Sequence, residues 1–241
     1  MKKIGLVGGI SWTSTLDYYK LINEYTNQKL GGLHSAEIII YSIDFDVFEN
    51  LLIAYDWEEL EKYFSKIVQN LINAGAEIIM LGANTAHIIA DKLTENFPQV
   101  ELIHIADATG EKIISQNLRK VGLLGTKYTM ELDFYKKRLQ DMGIDVVVPK
   151  SKKIRDYIDY TLGYELGKGI FKQETKEEYI KIINQLIEEE DVEGIILGCT
   201  EIPLIINEED LKVPSFNTTK IHSQIVVDKA IGNNQLLYVH K

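Results

Sequence analysis

Short apolar runs that end in glycine alternate along this chain with longer segments of helical periodicity. The run at 3–8 reads KIGLVG, and the run at 78–82 reads IIMLG. Runs of this length that close on glycine are typical of buried strands. The amphipathic stretch at 57–73 precedes the second run and ends at Ala74-Gly75, which indicates a helix. Strands that alternate with helices predict parallel sheets in an α/β fold.

The pattern also predicts the elements next to the first strand. A helix follows the Gly8-Gly9 turn and runs to about Lys29. Its periodicity places four apolar residues on one face, Leu16, Tyr19, Ile22 and Leu30. A second strand is predicted at 36–43, and the segment at 44–55 favours an irregular or weakly helical structure.

Two pairs of similar stretches share nearly the same separation. KIGLVG begins at 3 and KVGLLG begins at 120, so their starts lie 117 residues apart. GAEIIMLGANTAH at 75–87 resembles VEGIILGCTEIP at 192–203, and this alignment sets Ala83 on Cys199, which are 116 residues apart. The alternative is that any α/β chain repeats strands that end in glycine. A common separation for both pairs favours an internal repeat.

The repeat predicts two similar α/β domains with parallel-rich sheets, related by a pseudo-two-fold axis. We assign residues 1–98 with 208–241 to the first domain and residues 99–207 to the second. Loops at the carboxyl ends of strands are where open α/β sheets bind small molecules. We therefore expect the active site in a cleft between the domains, with positions 83 and 199 on opposite walls.

Composition narrows the classes of partner. The 241 residues are 45% apolar and 26% charged, as in ordinary globular proteins, and the net charge is −10. This charge argues against a general surface for nucleic acid or for an anionic membrane. No apolar run reaches ~18 residues, so we expect no membrane span. The single cysteine excludes an internal disulfide, and we expect no metal site and a cytoplasmic location.

Candidate chemistry collects at the predicted strand ends. Cys199 lies between Gly198 and Thr200, just after an apolar run. A lone cysteine is often a small core residue, but at a loop position its thiolate can act as a nucleophile or a proton carrier. Four neutral side chains on the matching loops suit a bound carboxylate, although each can equally cap a turn: Asn84, Thr85, Thr126 and Thr200.

Other residues are weaker candidates. The glycine-rich turn before Ser11 can offer N–H groups to an anion, but it lacks the G-x-G-x-x-G pattern of a dinucleotide site. Lys168 lies between two glycines and is either a cation for a second carboxylate or a solvated loop residue. His87 and His222 are considered as partners of the site, whereas His34 and His104 are interpreted as structural.

Five segments carry a family resemblance that covers nearly the whole chain. They are GLVGGISW at 5–12, ANTAH at 83–87, HIADATG at 104–110, LLGTKYTM at 123–130 and LGCTEI at 197–202. Together they resemble the aspartate/glutamate racemase family, in its aspartate racemase branch. The resemblance implies two similar α/β domains, an active site between them, no cofactor, an amino-acid or dicarboxylate ligand and often a homodimer. The usual mechanism employs two cysteines, one on each face of the substrate.

The chain departs from that pattern at one position. Ala83 stands where many members of the family carry the first cysteine, and some members have threonine there. Cys199 matches the second cysteine and is assigned as the thiol acid/base. The resemblance assigns substrate binding to nine residues: Ser11, Trp12, Asn84, Thr85, Ala86, Thr126, Lys168, Thr200 and Glu201.

Three functions remain open because alanine has no proton to give. Water, or a hydroxyl such as that of Thr85, can serve the Ala83 side of a slow or one-sided racemase, an isomerase that needs no pyridoxal phosphate. A single-cysteine enzyme can instead decarboxylate or isomerise its substrate. The third alternative is a weakly catalytic protein that binds an acidic amino acid. Loss of one proton-transfer group costs about 10²–10⁴-fold in rate.

Overall fold

The chain divides into two compact units in the computed structural model, which describes residues 1–232. The first unit comprises Met1–His104 and the segment that begins at His222, and the second comprises Ile105–Ile221. Each unit contains one four-stranded sheet in which every pair of neighbouring strands is parallel. The prediction of an α/β fold with two similar parallel sheets is therefore confirmed.

The first unit is built from four strands and four helices before the chain leaves it. In order these are β1 (Ile4–Gly8), α1 (Trp12–Leu30), β2 (Ile38–Ser42), α2 (Phe45–Ala54), α3 (Trp57–Asn73), β3 (Ile78–Leu81), a 3₁₀ turn (Thr85–Ile89), α4 (Ala90–Asn96) and β4 (Glu101–Leu102). The strand order in the sheet is β2-β1-β3-β4. The first strand along the chain is therefore central, and β2 lies at one edge.

The second unit repeats this arrangement. Its elements are α5 (Ile105–Ser115), β5 (Lys120–Gly125), α6 (Lys127–Glu131), α7 (Asp133–Asp141), β6 (Asp145–Val147), α8 (Lys152–Tyr164), a 3₁₀ turn (Leu166–Lys168), α9 (Gln173–Glu190), β7 (Gly194–Gly198), two 3₁₀ turns (Ile202–Leu204 and Glu208–Asp210), β8 (Ser215–Asn217) and the start of α10 (Thr218–Ile231). The strand order β6-β5-β7-β8 is that of the first sheet. The shared order is what an internal repeat predicts.

The boundaries between the units differ from those expected from the sequence. The first lies after His104 rather than after position 98, because β4 pairs with β3 and so belongs to the first sheet. The second lies before His222 rather than before position 208, because β8 pairs with β7 in the second sheet. Strand pairing, which the local pattern does not encode, sets both boundaries.

The apolar face assigned to α1 is wrong for two of its four residues. Leu16 and Tyr19 are exposed, whereas Tyr18, Ile22 and Tyr25 are buried in the core of the first unit. The buried side of α1 also contains hydroxyl residues. Burial is possible for them because their O–H groups donate hydrogen bonds to carbonyls of the helix itself. Thr26 is an example, because its Oγ1 donates to the carbonyl of Ile22 at 2.8 Å.

The segment at 44–55 is a regular helix rather than an irregular one. Asp44 caps it, since its carboxylate accepts a hydrogen bond from the N–H of Asp46 at 3.1 Å. Phe48 and Leu52 are buried on one side of α2, and Phe48 packs against Phe64 of α3 with ring centroids 5.7 Å apart. A cap and two buried residues one turn apart are enough to fix this helix.

The last helix completes the core of the first unit. Val226, Val227 and Ala230 of α10 are buried against Ile4 and Leu6 of β1. The backbone also joins these segments, because the N–H of Lys2 donates to the carbonyl of Ala230 at 2.8 Å. Within residues 1–232 no helix is long and apolar enough to cross a membrane.

Candidate active site

The ends of β5 and β7 bring Thr126 and Cys199 together in the second unit. The register pairs Gly125 with Gly198, and each candidate residue follows its glycine directly. Glycine is needed at 198 because a Cβ there would lie 2.8 Å from the carbonyl oxygen of Leu124. The close approach of the two strand ends therefore places the two loops side by side, as expected from the sequence.

Cys199, Thr200 and Glu201 form one hydrogen-bonded group on the loop after β7. The Sγ–H of half-buried Cys199 donates to Glu201 Oε2 at 2.9 Å, and Thr200 Oγ1 donates to the same oxygen at 2.7 Å. Glu201 is only 9% exposed. The carboxylate thus accepts a hydrogen bond from the thiol directly, whereas the family resemblance implies that Glu201 binds substrate.

This contact sets the protonation state of the thiol. Burial raises the pKa of Cys199 well above its usual value, and the negative charge and hydrogen bond of Glu201 raise this pKa further. Backbone hydrogen bonds from Glu201 and Thr200 act in the opposite direction. The resting thiol is therefore protonated near neutral pH, so the site holds an acid that must lose its proton before it can act as a base.

The remaining candidates of the second unit lie on two further elements. Thr126 caps α6, where its Oγ1 accepts a hydrogen bond from the N–H of Thr129 at 3.3 Å. Lys168 is exposed on the 3₁₀ turn after α8, and its Nζ lies 5.1 Å from the ring centroid of Tyr164. A cation over an aromatic face is weakly held, and the role of Lys168 towards a substrate carboxylate stays a prediction.

The ends of β1 and β3 form the corresponding loops of the first unit. Gly9 has a φ of +89°, and a Cβ there would lie 2.3 Å from the carbonyl oxygen of Ile43, so the turn after β1 requires glycine. Ser11 caps α1 and accepts a hydrogen bond from the N–H of Ser14. Trp12, the first residue of α1, is exposed.

The loop after β3 carries Ala83 and three buried candidates. Ala83 is half-buried, whereas Asn84, Thr85 and Ala86 are buried. The loop is tied to β1, because the N–H of Gly82 donates to the carbonyl of Val7 at 2.8 Å. The two expected loops of this unit therefore lie at one end of one sheet.

Three buried histidines support the Ala83 loop. His87 Nδ1 donates to the carbonyl of Ala83 at 2.9 Å, and its ring lies 4.6 Å from that of His104 and 5.6 Å from that of His222. His222 Nε2 donates to the carbonyl of Ile103 at 2.9 Å, while Tyr18 donates to its Nδ1 at 3.3 Å. These bonds fix both rings as neutral tautomers, and the bond from His87 ties its ring to the loop.

Burial keeps the two best-defined histidines of this cluster uncharged. It lowers the pKa of His87 to about 3, with a further lowering from His222, and it lowers the pKa of His222 to about 4. Neither ring is poised to exchange protons with a substrate near neutral pH. Both act as positioning residues rather than as acids or bases.

Two features of the site escaped the sequence pattern. The bond between Glu201 and the thiol depends on a rotamer, although a carboxylate two residues beyond a loop cysteine is a detectable signal. The participation of His104 depends on tertiary packing, because it lies 17 residues beyond His87 along the chain. Among the described residues, no group of three or more His, Cys, Asp or Glu could hold a metal ion.

Two parallel four-stranded sheets with polar loops at their strand ends define an α/β protein of the enzyme type that binds small molecules at those loops. The family model described as Asp/Glu/Hydantoin racemase matches residues 7–226. The chain belongs to this family, and the resemblance stated above is confirmed.

Similar proteins agree with that assignment. A crystal structure of a candidate Asp/Glu racemase from Yersinia pestis is 43% identical, with a TM-score of 0.90 over 96% of this chain and 100% of that one. The broad specificity amino-acid racemase RacX of Bacillus subtilis (strain 168) is 22% identical over 222 residues, 90% of this chain and 92% of its own. A glutamate racemase from Hydrogenobaculum sp. (strain Y04AAS1) is 24% identical over 172 residues, 70% of this chain but 63% of its own.

Proposed function

We propose that the protein is an amino-acid racemase for aspartate- or glutamate-type substrates and that Cys199 is its thiol acid/base. The observation that carries this proposal is the Cys199–Glu201 hydrogen bond of 2.9 Å at the end of β7. A thiol paired with a carboxylate can pass a proton in either direction, which a residue that exchanges the α-proton of an amino acid requires. Family membership supports the same class of reaction.

The proposed proton path begins with the thiol. Glu201 accepts the Sγ proton, and the Cys199 thiolate then removes the α-proton of one enantiomer. On return, the thiol gives the α-proton back to the substrate carbanion, and the thiolate that results takes its own proton back from Glu201, which becomes a carboxylate again. The hydroxyls and amide at the strand ends bind the substrate carboxylate without a metal or pyridoxal phosphate: Thr126, Thr200, Asn84 and Thr85.

The other face of the substrate lacks a thiol in this proposal. Ala83 carries no proton, so water or the Thr85 hydroxyl serves that side and inversion is slower than proton exchange. The expectation that position 83 faces Cys199 stays a prediction, as does a cytoplasmic location. Exchange without a matching rate of inversion is the signature of such a one-thiol site.

The experiment follows the α-proton by NMR in D₂O for both enantiomers of aspartate and glutamate. We expect exchange that exceeds inversion, and Cys199→Ala should lower both by about 10²–10⁴-fold. Ala83→Cys should raise inversion towards the exchange rate. Exchange that survives Cys199→Ala would contradict the role of the thiol. Tight binding without exchange of any substrate would instead indicate a binding protein.

A further inference from the structure

The turn between α8 and α9 carries Lys168 between two glycines. Gly169 has a φ of +72°, a left-handed conformation that glycine adopts readily. A Cβ at Gly167 would lie 2.8 Å from the carbonyl oxygen of Leu162, so this position also requires glycine. Because neither glycine has a side chain to pack, other contacts must hold Lys168 in place.

The backbone of Glu165, the residue that ends α8, holds this turn from one side. Its carbonyl accepts hydrogen bonds from the N–H of Lys168 at 3.0 Å and from the N–H of Ile170 at 2.9 Å. Its own N–H donates to the carbonyl of Thr161 in α8 at 3.0 Å. A single residue thus joins the helix to the lysine and to the segment that follows Gly169.

The side chain of Glu165 holds the same turn from the other side. Its Oε1 accepts a hydrogen bond from Lys172 Nζ at 2.6 Å, and its Oε2 accepts one from Thr175 Oγ1 at 2.6 Å. Thr175 lies in α9 and is 2% exposed, and the Glu165 side chain is 13% exposed. The bonds from Lys172 and Thr175 hold the pKa of Glu165 below its usual value, so the carboxylate is charged near neutral pH. The carboxylate therefore links the end of α8 to the start of α9 across the turn.

This network leaves the charge of Lys168 unpaired. Glu165 is the acidic residue nearest to Lys168 along the chain, but both of its carboxylate oxygens are bound to other residues. In the part of the chain that the structure describes, no carboxylate forms an ion pair with Lys168. Its Nζ lies 5.1 Å from the ring centroid of Tyr164, a half-exposed side chain. An ammonium group without a carboxylate partner is suited to an anionic ligand.

We propose that Glu165 is the positioning residue that lets Lys168 select dicarboxylate substrates. The backbone and side chain of Glu165 fix the turn, and its carboxylate is bound away from the lysine. The ammonium of Lys168 then binds the side-chain carboxylate of the substrate. This inference rests on the proposed function and deepens it, because it assigns the preference for acidic substrates to a residue that does not touch them.

The test compares α-proton exchange of aspartate with that of asparagine, which has the same shape but no side-chain charge. We expect the wild-type kcat/KM to favour aspartate and Lys168→Met to lower this preference by about 10–100-fold. Glu165→Ala should lower it by a similar factor, because the turn is no longer fixed. Glu165→Gln keeps a carbonyl oxygen that can accept from Thr175 and should retain most of the preference. Glu177→Ala removes an equal charge from an exposed position of α9 and should leave the preference unchanged.

A double variant separates positioning of the lysine from a general loss of stability. In Glu165→Ala/Lys168→Met the preference for aspartate should equal that of Lys168→Met alone, since the first residue acts only through the second. Additive losses would overturn the proposal. A Glu165→Ala protein that keeps the full preference, or a wild-type protein that exchanges both substrates equally well, would do the same.

Thr175→Val keeps the proposal testable if Glu165→Ala does not fold. It removes one hydrogen bond to the carboxylate with little change in shape and should lower the preference several-fold, and an unchanged preference would contradict the network. If the wild type exchanges neither substrate, the racemase proposal fails, and calorimetric titration then compares binding of the same two ligands. A preference for aspartate that is lost in both Lys168→Met and Thr175→Val would still support the role of Glu165. Equal binding of aspartate and asparagine to the wild type would refute it.

Discussion

Glu201 has two opposed effects on the thiol at the scale of single residues. Its charge and hydrogen bond raise the pKa of Cys199, which keeps the sulfur protonated, yet the same carboxylate is the nearest acceptor for that proton. Neutralising the Glu201 carboxylate should therefore lower the pKa of the Cys199 thiol and, at the same time, remove the group that accepts its proton. In the proposed function the second effect controls the rate.

We expect Glu201→Gln to lower the pKa of Cys199 while it slows α-proton exchange by about 10-fold or more. Iodoacetamide alkylation against pH measures the first effect without interference, since the chain has only one cysteine. The alkylation profile should move to lower pH. Glu209→Gln removes an equal charge at an exposed position and should change neither measurement. Faster exchange in Glu201→Gln would exclude a proton-accepting role for this carboxylate.

The histidine cluster makes the first unit sensitive to acid. Folded His87 and His222 have pKa values of about 3 and about 4, below the ordinary value of 6.5. The unfolded chain therefore binds more protons, and the stability present above pH 6.5 falls as the pH drops towards 4. When the pH falls from 7 to 5.5, protonation of these two histidines in the unfolded chain should lower the unfolding free energy by about 2–3 kcal/mol.

Hydrogen exchange of β1 and β3 amides at several pH values measures this loss. His222→Gln preserves a donor to Ile103 and an acceptor for Tyr18 but does not titrate, so its pH slope should be about half that of the wild type. His34→Gln, at an exposed position, should keep the full slope. An unchanged slope in His222→Gln would show that the buried rings do not govern acid stability.

The sequence placed most of the candidate site residues on loops correctly because the signal for a strand end is local. Glycine after an apolar run marks a strand end, and this pattern alone is sufficient to place Cys199, Thr126 and Asn84 on loops. The partner of the thiol could not be identified in the same way. Glu201 bonds to Cys199 only in one side-chain conformation, and periodicity carries no information about rotamers.

The close approach of β5 and β7 is the element-scale feature on which the thiol loop depends. Gly198→Ala would place a methyl group 2.8 Å from Leu124 O and 2.9 Å from Leu123 Cδ1. We expect a loss of about 1–3 kcal/mol in unfolding free energy, measured by denaturant titration, together with lower activity.

Gly163→Ala is the matched control for that substitution. Gly163 lies in α8 with no atom within 4 Å of an added Cβ, so alanine should stabilise the protein by about 0.5–1 kcal/mol. If the two substitutions changed the unfolding free energy equally, the close contact between the ends of β5 and β7 would not contribute to stability. The comparison separates steric conflict from backbone entropy.

Helix faces were harder to predict than helix positions. The bounds of α3 agree with the predicted stretch at 57–73, because its apolar period is regular and caps mark both ends. In α1 the apolar residues occupy two sides, and the period alone cannot tell a core from an exposed stripe. Which of the two sides packs against the core depends on tertiary contacts, and no local pattern reveals these.

One unit is formed by a single continuous segment of the chain, and the other is formed by two segments. Residues 105–221 form a complete sheet in one continuous segment, whereas the first unit needs the part of α10 that follows His222. Strand pairing at both boundaries explains why the sequence placed them too early, since pairing joins residues that are distant along the chain.

We expect a fragment of residues 105–221 to unfold cooperatively on heating and a fragment of residues 1–104 to remain without a cooperative transition. The second fragment keeps α1 but lacks Val226, Val227 and Ala230, so the sheet face that α1 and α10 share is only partly covered. Joining residues 222–232 to it by a short linker should restore the transition, since Ile103 O and His222 Nε2 lie 2.9 Å apart. Circular dichroism measures all three. A cooperative transition in 1–104 alone would refute this dependence.

The return of α10 to β1 has a consequence for biosynthesis. A ribosome releases β1, α1, β2 and β3 first, but α10, which completes the core around Ile4 and Leu6, emerges only after the whole middle of the protein has been made. The unit that is synthesised first is thus the last to complete its core. While roughly half of the polypeptide is translated, the part of this apolar sheet face that α10 will cover stays exposed and is a target for chaperones.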